Sequence, residues 1–266
     1  MLKSFAKEKV LPRLNRLLRP ASLKVVPASS PTRDFADFLG HVRRLGIEFE
    51  TIIDVGVAFG SPGLYRACPA AKFYLVEPVP SAKAHLDKLA QELGAEVFNV
   101  AAGATDGEMT FFVHPDTSGS SAFRQWEGAD LDGEEVVVPV RRLDAIIPRP
   151  VARPALLKID TQGAELDVLA GAAELLNDID MLIIEVSFHE FRKGAPEFHH
   201  IVQRMTELGY VCYEVLEGHY RAIDGALAQE DLVFIRPDSP LRAHKTYFSP
   251  EQAARYRATS GGAAGA

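Results

Sequence analysis

The chain has 266 residues, of which 47% are hydrophobic and 24% charged, ordinary values for a globular protein with a substantial core. A net charge of −7 gives the chain as a whole no pull toward nucleic acid or an anionic membrane, and its two cysteines are too few for a disulfide framework or a cysteine zinc site. So few cysteines make a cytoplasmic protein the expectation, and no apolar run is long enough to cross a bilayer.

Residues 1–33 read as a basic extension and linker. Lys3, Lys7, Lys9, Arg13, Arg16 and Arg19 face only Glu8, and the charges leave no signal-peptide-like apolar region. Leu2, Phe5, Val10, Leu14 and Leu17 make an apolar stripe that Pro12 is expected to interrupt, and that suits either packing on the domain or weak contact with a membrane surface. Pro20, Pro27 and Pro31 among serines mark the linker.

The domain is expected over 34–240. Asp34 caps a helix that runs through Phe35, Phe38, Leu39, Val42 and Leu45 to Gly46. A β-branched strand, Thr51 to Val55, leads into the glycine-rich turn Gly56-Val57-Ala58-Phe59-Gly60-Ser61-Pro62-Gly63, which has the outline of a nucleotide-cofactor loop or of a tight turn without a ligand. A second strand over Lys72–Val76 ends in Glu77, 23 positions after Asp54, where a carboxylate can accept both hydroxyls of a ribose. A helix over 80–93 and a third strand over 95–100 complete a βαβαβ half.

Between Gly103 and Leu143 the alternation stops. Met109–Val113 and Val136–Val140 predict two inserted strands around a long polar loop, which either closes over a substrate or decorates the domain. The run Ala155–Ile159 then predicts a buried strand ending at Asp160, a turn through Thr161-Gln162-Gly163, and a helix with Glu165 in its first turn. Asp160 reads either as a site carboxylate at a strand end or as that helix's cap. Met181–Ile184 predicts a further core strand ending in Glu185, followed by His189 and a helix from Pro196 to Leu208. The last two strands, 210–216 and 232–235, have no helical pattern between them and are expected to pair antiparallel. Residues 241–266 read as a partly disordered tail. The predicted fold is therefore α/β, a doubly wound, mostly parallel seven-stranded sheet with an antiparallel last strand and a β-hairpin insertion.

Ala58 and Ser61 stand where a dinucleotide loop carries its second and third glycines, which disfavours NAD. S-adenosylmethionine has no phosphate; it needs close backbone approach and an acidic ribose partner, and both are present. The sequence then resembles the FkbM family of S-adenosylmethionine-dependent O-methyltransferases. Ile53-Asp54-Val55-Gly56, Val76-Glu77-Pro78, Arg142-Leu143-Asp144 and the stretch Leu157-Lys158-Ile159-Asp160-Thr161-Gln162-Gly163-Ala164-Glu165 carry the likeness. Ala58 departs from the family, which often has asparagine there.

The resemblance implies a class I, Rossmann-like methyltransferase with S-adenosylmethionine as cofactor, acting on a hydroxyl of a small molecule, sugar or glycolipid and not on nucleic acid. The expected cofactor-binding residues are Asp54, Gly56, Gly60, Glu77, Asn99 and Asp160. The expected catalytic residues are Asp160, Glu165, Glu185 and His189, with Asp160 the first choice for base or orienting carboxylate. A divalent metal on Asp160, Glu185 and His189 is an alternative and not the expectation. Gly56→Val is expected to abolish cofactor binding with little loss of stability. The 114–135 loop and the 187–199 segment are expected to form the acceptor pocket. An NAD-type oxidoreductase and a non-catalytic scaffold with a basic docking arm are the competing readings.

Overall fold

A computed structural model describes residues 10–18, 25, 33–115, 117, 119–126, 131–216 and 218–260. Most of the basic extension and linker and the stretch 261–266 lie outside the described residues. Within the extension, Leu11–Leu18 is one helix with Pro12 in its first turn. Proline does not interrupt it there, because the first-turn N–H groups have no intrahelical partner to lose.

The main sheet is built from β1 (Thr51–Val55), β2 (Lys72–Val76), β3 (Glu96–Phe98), β7 (Ala155–Ile159), β8 (Met181–Ser187), β9 (Val211–Val215), β10 (His219–Tyr220) and β11 (Leu227–Ile235). Its order is β10-β11-β8-β7-β1-β2-β3, with β9 also on β11. The pairs from β3 to β8 are parallel, and β11 runs antiparallel to β8, β9 and β10. The seven expected strands are thus present, with a two-residue strand, β10, added beside β11. The helices cover both faces. Phe38, Leu39, Val42, Leu64 and Leu86 pack with Ile52, Phe73, Leu75, Leu156, Ile183 and Val233 on one side. Val168, Leu169, Ile201 and Met205 pack with Ile53, Val55, Leu157, Ile159, Ile184 and Phe234 on the other.

The insertion is a second sheet. β5 (Gly107–Val113) and β6 (Glu134–Arg141) form the expected hairpin, and β4 (Ala101–Ala102) adds to β6 in parallel. The third strand predicted over 95–100 therefore breaks after Phe98, and the chain crosses to this smaller sheet. Phe111, Val138 and Val140 seat it on the first core. The expected caps hold in part: the Asp34 side chain accepts the Asp37 N–H at 2.8 Å, whereas the helix Glu165–Ala170 is capped by Ala164 with no side-chain bond. Asp160 is thus not that helix's cap. In the tail, Pro250–Ser260 forms an exposed helix that the polar composition did not predict.

Candidate active site

Parallel order reverses at β1, which has β2 on one side and β7 on the other. The segments leaving two such strands separate in opposite directions and open a crevice beyond their carboxyl ends. A cleft of about 470 Å³ occupies this position. The turn 56–61 after β1, Glu77 and Pro78 after β2, Asp160 to Gln162 after β7, and Glu185 on β8 all line it.

The glycine turn is held by three kinds of contact. Gly56 has φ +80°, and a Cβ there would lie 1.8 Å from the Asp160 carbonyl oxygen, so only glycine lets β1 and β7 stay paired through the Asp160 N–H bond to the Val55 carbonyl, 2.9 Å. This overturns the expectation that Gly56→Val would spare stability: the glycine serves the backbone of the sheet itself. Ala58 is also left-handed, at φ 45°. Asparagine tolerates that conformation better than alanine. Glu77, 4% exposed, accepts the Ala58 N–H at 2.8 Å on one carboxylate oxygen and the Val79 N–H at 2.9 Å on the other. Burial raises its pKa against those two bonds.

Beneath the cleft, strand alternation brings a polar cluster to one sheet face. Asp54 lies beside Lys158, and Glu185 beside Asp231, in the strand register. Lys158 is buried, its ammonium 3.1 Å from Asp160 and 3.5 Å from Asp54. Burial opposes that charge, but Asp160, Asp54 and Asp231 outweigh it and raise the ammonium above its ordinary range. Asp54 is fully buried and accepts the Tyr65 hydroxyl at 2.5 Å. Asp160, with a side chain 30% exposed, is also affected by burial, yet Lys158 and the Gln162 amide hold its carboxyl below its ordinary value. Glu185 goes the other way: burial, then Asp160 and Asp231, push it well up. The Gln162 and Gln229 amides both donate to its Oε2. Burial likewise pushes Asp231 up to about 7.

The insertion also lines the cleft. Met109, Phe111, Thr117, Gly119, Ser120 and Ala122 line it. The Ser121 hydroxyl donates to the Gln162 carbonyl at 2.7 Å. Behind the loop, Gln125 bridges to Arg192, the Trp126 indole donates to the Glu190 carbonyl at 2.7 Å, and the Lys193 N–H donates to the Arg124 carbonyl at 2.9 Å. The 114–135 loop is therefore a wall of the cleft, and the segment after β8 buttresses it from outside. Residues 116, 118 and 127–130 of that loop lie outside the described residues.

Of the residues singled out from sequence, Gly56, Gly60, Glu77, Asp160 and Glu185 line the cleft, and Asp54 lies under it against Lys158. Glu165 is buried and turned to its own loop, accepting the Thr161 hydroxyl at 3.2 Å and the Gly163 N–H at 2.9 Å. Asn99 is exposed, and Ala101 and Ala102 line the cleft near it. His189 is half-buried, its ring 5.6 Å from that of Phe191, and does not line the cleft. Asp160, Glu185 and His189 are thus not assembled; among the described residues no three such side chains form a metal-ligand group. Sequence reading missed Lys158, Gln162, Gln229 and His219, all cleft-lining. A lysine inside an otherwise apolar strand was a usable signal for the first; nothing local marks the other three.

The family described as "Methyltransferase FkbM domain" matches residues 54–212. No curated protein matches the chain. Among solved structures, an rRNA methylase from Streptococcus thermophilus is 12% identical, with 79% of this chain and 99% of that one covered and a TM-score of 0.43. Magnesium protoporphyrin IX methyltransferase from Synechocystis PCC 6803, solved with bound S-adenosylmethionine, is 10% identical, with 88% and 95% covered and a TM-score of 0.42. Fibrillarin from Aeropyrum pernix is 12% identical, with 70% and 67% covered and a TM-score of 0.41. With the family match spanning more than half of its length, from the end of β1 to β9, the chain belongs to the FkbM methyltransferases.

Proposed function

We propose that the chain transfers the methyl group of S-adenosylmethionine to a hydroxyl of a small molecule, a sugar or a glycolipid. The observation that carries this reading is one cleft lined by the glycine turn and Glu77 together with Thr117, Ser120, Asp160, Gln162 and Glu185. Its volume lies in the range of small-ligand pockets, about 300–1,000 Å³.

The residues present fit the cofactor. A carboxylate has about four acceptor positions, and two N–H groups occupy one on each oxygen of Glu77, so each oxygen keeps one for a ribose hydroxyl. Carboxylates at 77, 160 and 185 around the same cleft suit a cationic ligand. When bound, S-adenosylmethionine supplies an electrophilic methyl group on a positively charged sulfur. The protein then holds an acceptor oxygen in line at near-attack distance. Asp160, held below its ordinary value by Lys158, is an orienting carboxylate for the acceptor hydroxyl. Gln162, Glu185 and Gln229 add hydrogen-bonding groups at the acceptor end, which favours a hydroxyl-bearing molecule. The net charge of −7 disfavours a polyanion such as RNA.

Titration calorimetry with S-adenosylmethionine and with NAD tests the cofactor, with binding of the first alone expected. Labelled-methyl transfer to panels of sugars, glycolipids, small alcohols and RNA tests the acceptor. Transfer to RNA alone would overturn the acceptor class, and binding of neither cofactor would favour the scaffold reading.

A further inference from the structure

Methyl transfer to an alcohol needs a group that takes the hydroxyl proton, and among the described residues the cleft offers five ionisable side chains: Glu77, Lys158, Asp160, Glu185 and His219. Four are committed elsewhere. Glu77 is buried with both oxygens holding backbone N–H groups of the cofactor loops. Lys158 is a cation and accepts nothing. Asp160 is paired with Lys158 and Gln162, and a carboxylate whose acidity is strengthened is a poor proton acceptor. Glu185 is held in place by two glutamine amides that share one of its oxygens.

His219 differs from all four. It stands on β10 at the edge of the sheet, opposite Gln229 in the register, and Gln229 in turn donates to Glu185 at 2.7 Å. The imidazole is therefore at the acceptor end, on the side away from the glycine turn. Among the described residues, no hydrogen bond to a protein group holds its ring, and its exposure gives the ring an outlet to water. Among the described residues, the charged groups around it are Glu230 on the adjacent strand and the cleft-lining Glu185, Asp160 and Lys158. Imidazole is the side chain whose free form gains and loses a proton near neutrality.

We propose that His219 is the catalytic base, taking the proton of the acceptor hydroxyl through a ring nitrogen. This rests on the methyltransferase reading above. The acceptor O–H bond breaks toward the imidazole while its oxygen bonds to the methyl carbon of the sulfonium donor. The carbon–sulfur bond breaks and its electron pair stays on sulfur. The ring becomes imidazolium and returns its proton to solvent at the exposed edge. Asp160 and Glu185 position the hydroxyl and do not carry the proton.

Two measurements test the proposal on the full chain. In NMR spectra of protein with ¹³C-labelled histidines, with His219 assigned through His219→Gln, the His219 ring signal is expected at different positions with S-adenosylmethionine and with S-adenosylhomocysteine. The two ligands differ by one methyl group and one positive charge at the reacting centre. The signals of exposed His199 and His200 are expected to coincide. Coincidence of the His219 signal as well would place it away from the reacting centre and overturn the proposal. With an acceptor identified by labelled transfer, His219→Gln is expected to lower kcat by about 10²–10⁴-fold at unchanged cofactor affinity, and added imidazole to restore part of the rate of His219→Ala. A near-wild-type kcat, or a fall explained by lost cofactor binding, would remove His219 from the chemistry while leaving the methyltransferase reading intact. Failure of the wild type to bind S-adenosylmethionine would remove both.

Discussion

Lys158 is the residue whose removal the structure makes most informative. Its ammonium is buried between Asp54 and Asp160, at 3.5 and 3.1 Å. Lys158→Met keeps most of the stem and deletes the charge. Asp54 would then be a fully buried carboxylate, with the Tyr65 hydroxyl on one oxygen and no hydrogen bond on the other. Breaking such a buried pair from one side costs about 3–5 kcal/mol, because the partner's charge stays behind uncompensated. At about 2–4 °C per kcal/mol for a domain of this size, the melting temperature should fall by about 6–20 °C. The pH dependence gives the sharper check. In the wild type the lowered carboxyl of Asp160 contributes stability above the ordinary carboxylate range, lost as pH falls through its folded value. The raised ammonium of Lys158 contributes below the ordinary lysine range, lost as pH rises through its folded value. The pair therefore stabilises most across neutral pH. In the variant the stranded carboxylates shed their cost by taking up protons, so the deficit should be largest near neutrality and shrink as pH falls into the carboxylate range. Urea unfolding of both proteins over that span measures it. A deficit under about 1 kcal/mol, or one independent of pH, would refute the buried-pair account.

Gly56→Ala should not yield a stable fold, because even a methyl group there meets the Asp160 carbonyl at 1.8 Å; normal expression with an unchanged unfolding midpoint would contradict this. Glu77→Gln should weaken S-adenosylmethionine by about 10–150-fold in calorimetry, the equivalent of about 1.5–3 kcal/mol for bonds to a charged group. Unchanged affinity with the fold intact would take Glu77 out of the ribose site. Ala58→Asn should raise stability by about 0.5–1 kcal/mol by relieving a left-handed alanine, and a lower urea midpoint would show that the strain is not there to relieve.

The class of fold was legible in the chain because the elements that define it are periodic and local. The largely apolar runs 51–55, 72–76 and 155–159, followed by Gly56, Glu77 and Asp160, state buried parallel strands and where their ends lie. Glu77 and the glycine turn could be placed at the same end of the sheet from spacing alone, since strand and turn lengths fix their separation. Pairing between distant segments decided the rest. Strand register put Lys158 beside Asp54 and gave Asp160 a strengthened acidity that no local pattern shows. The close approach of β1 to β7 made Gly56 a requirement of the sheet, where a single stretch of sequence suggested only a ligand contact. Asn99, Glu165 and His189 sit at plausible positions along the chain, yet the crossing to the second sheet, the tight turn at 161–164 and the segment after β8 turn them away from the cleft. His219 entered it because the edge hairpin folds back over β8, more than thirty residues away. Which side chains share a cleft is a property of contacts between segments remote in sequence, and only tertiary structure carries it.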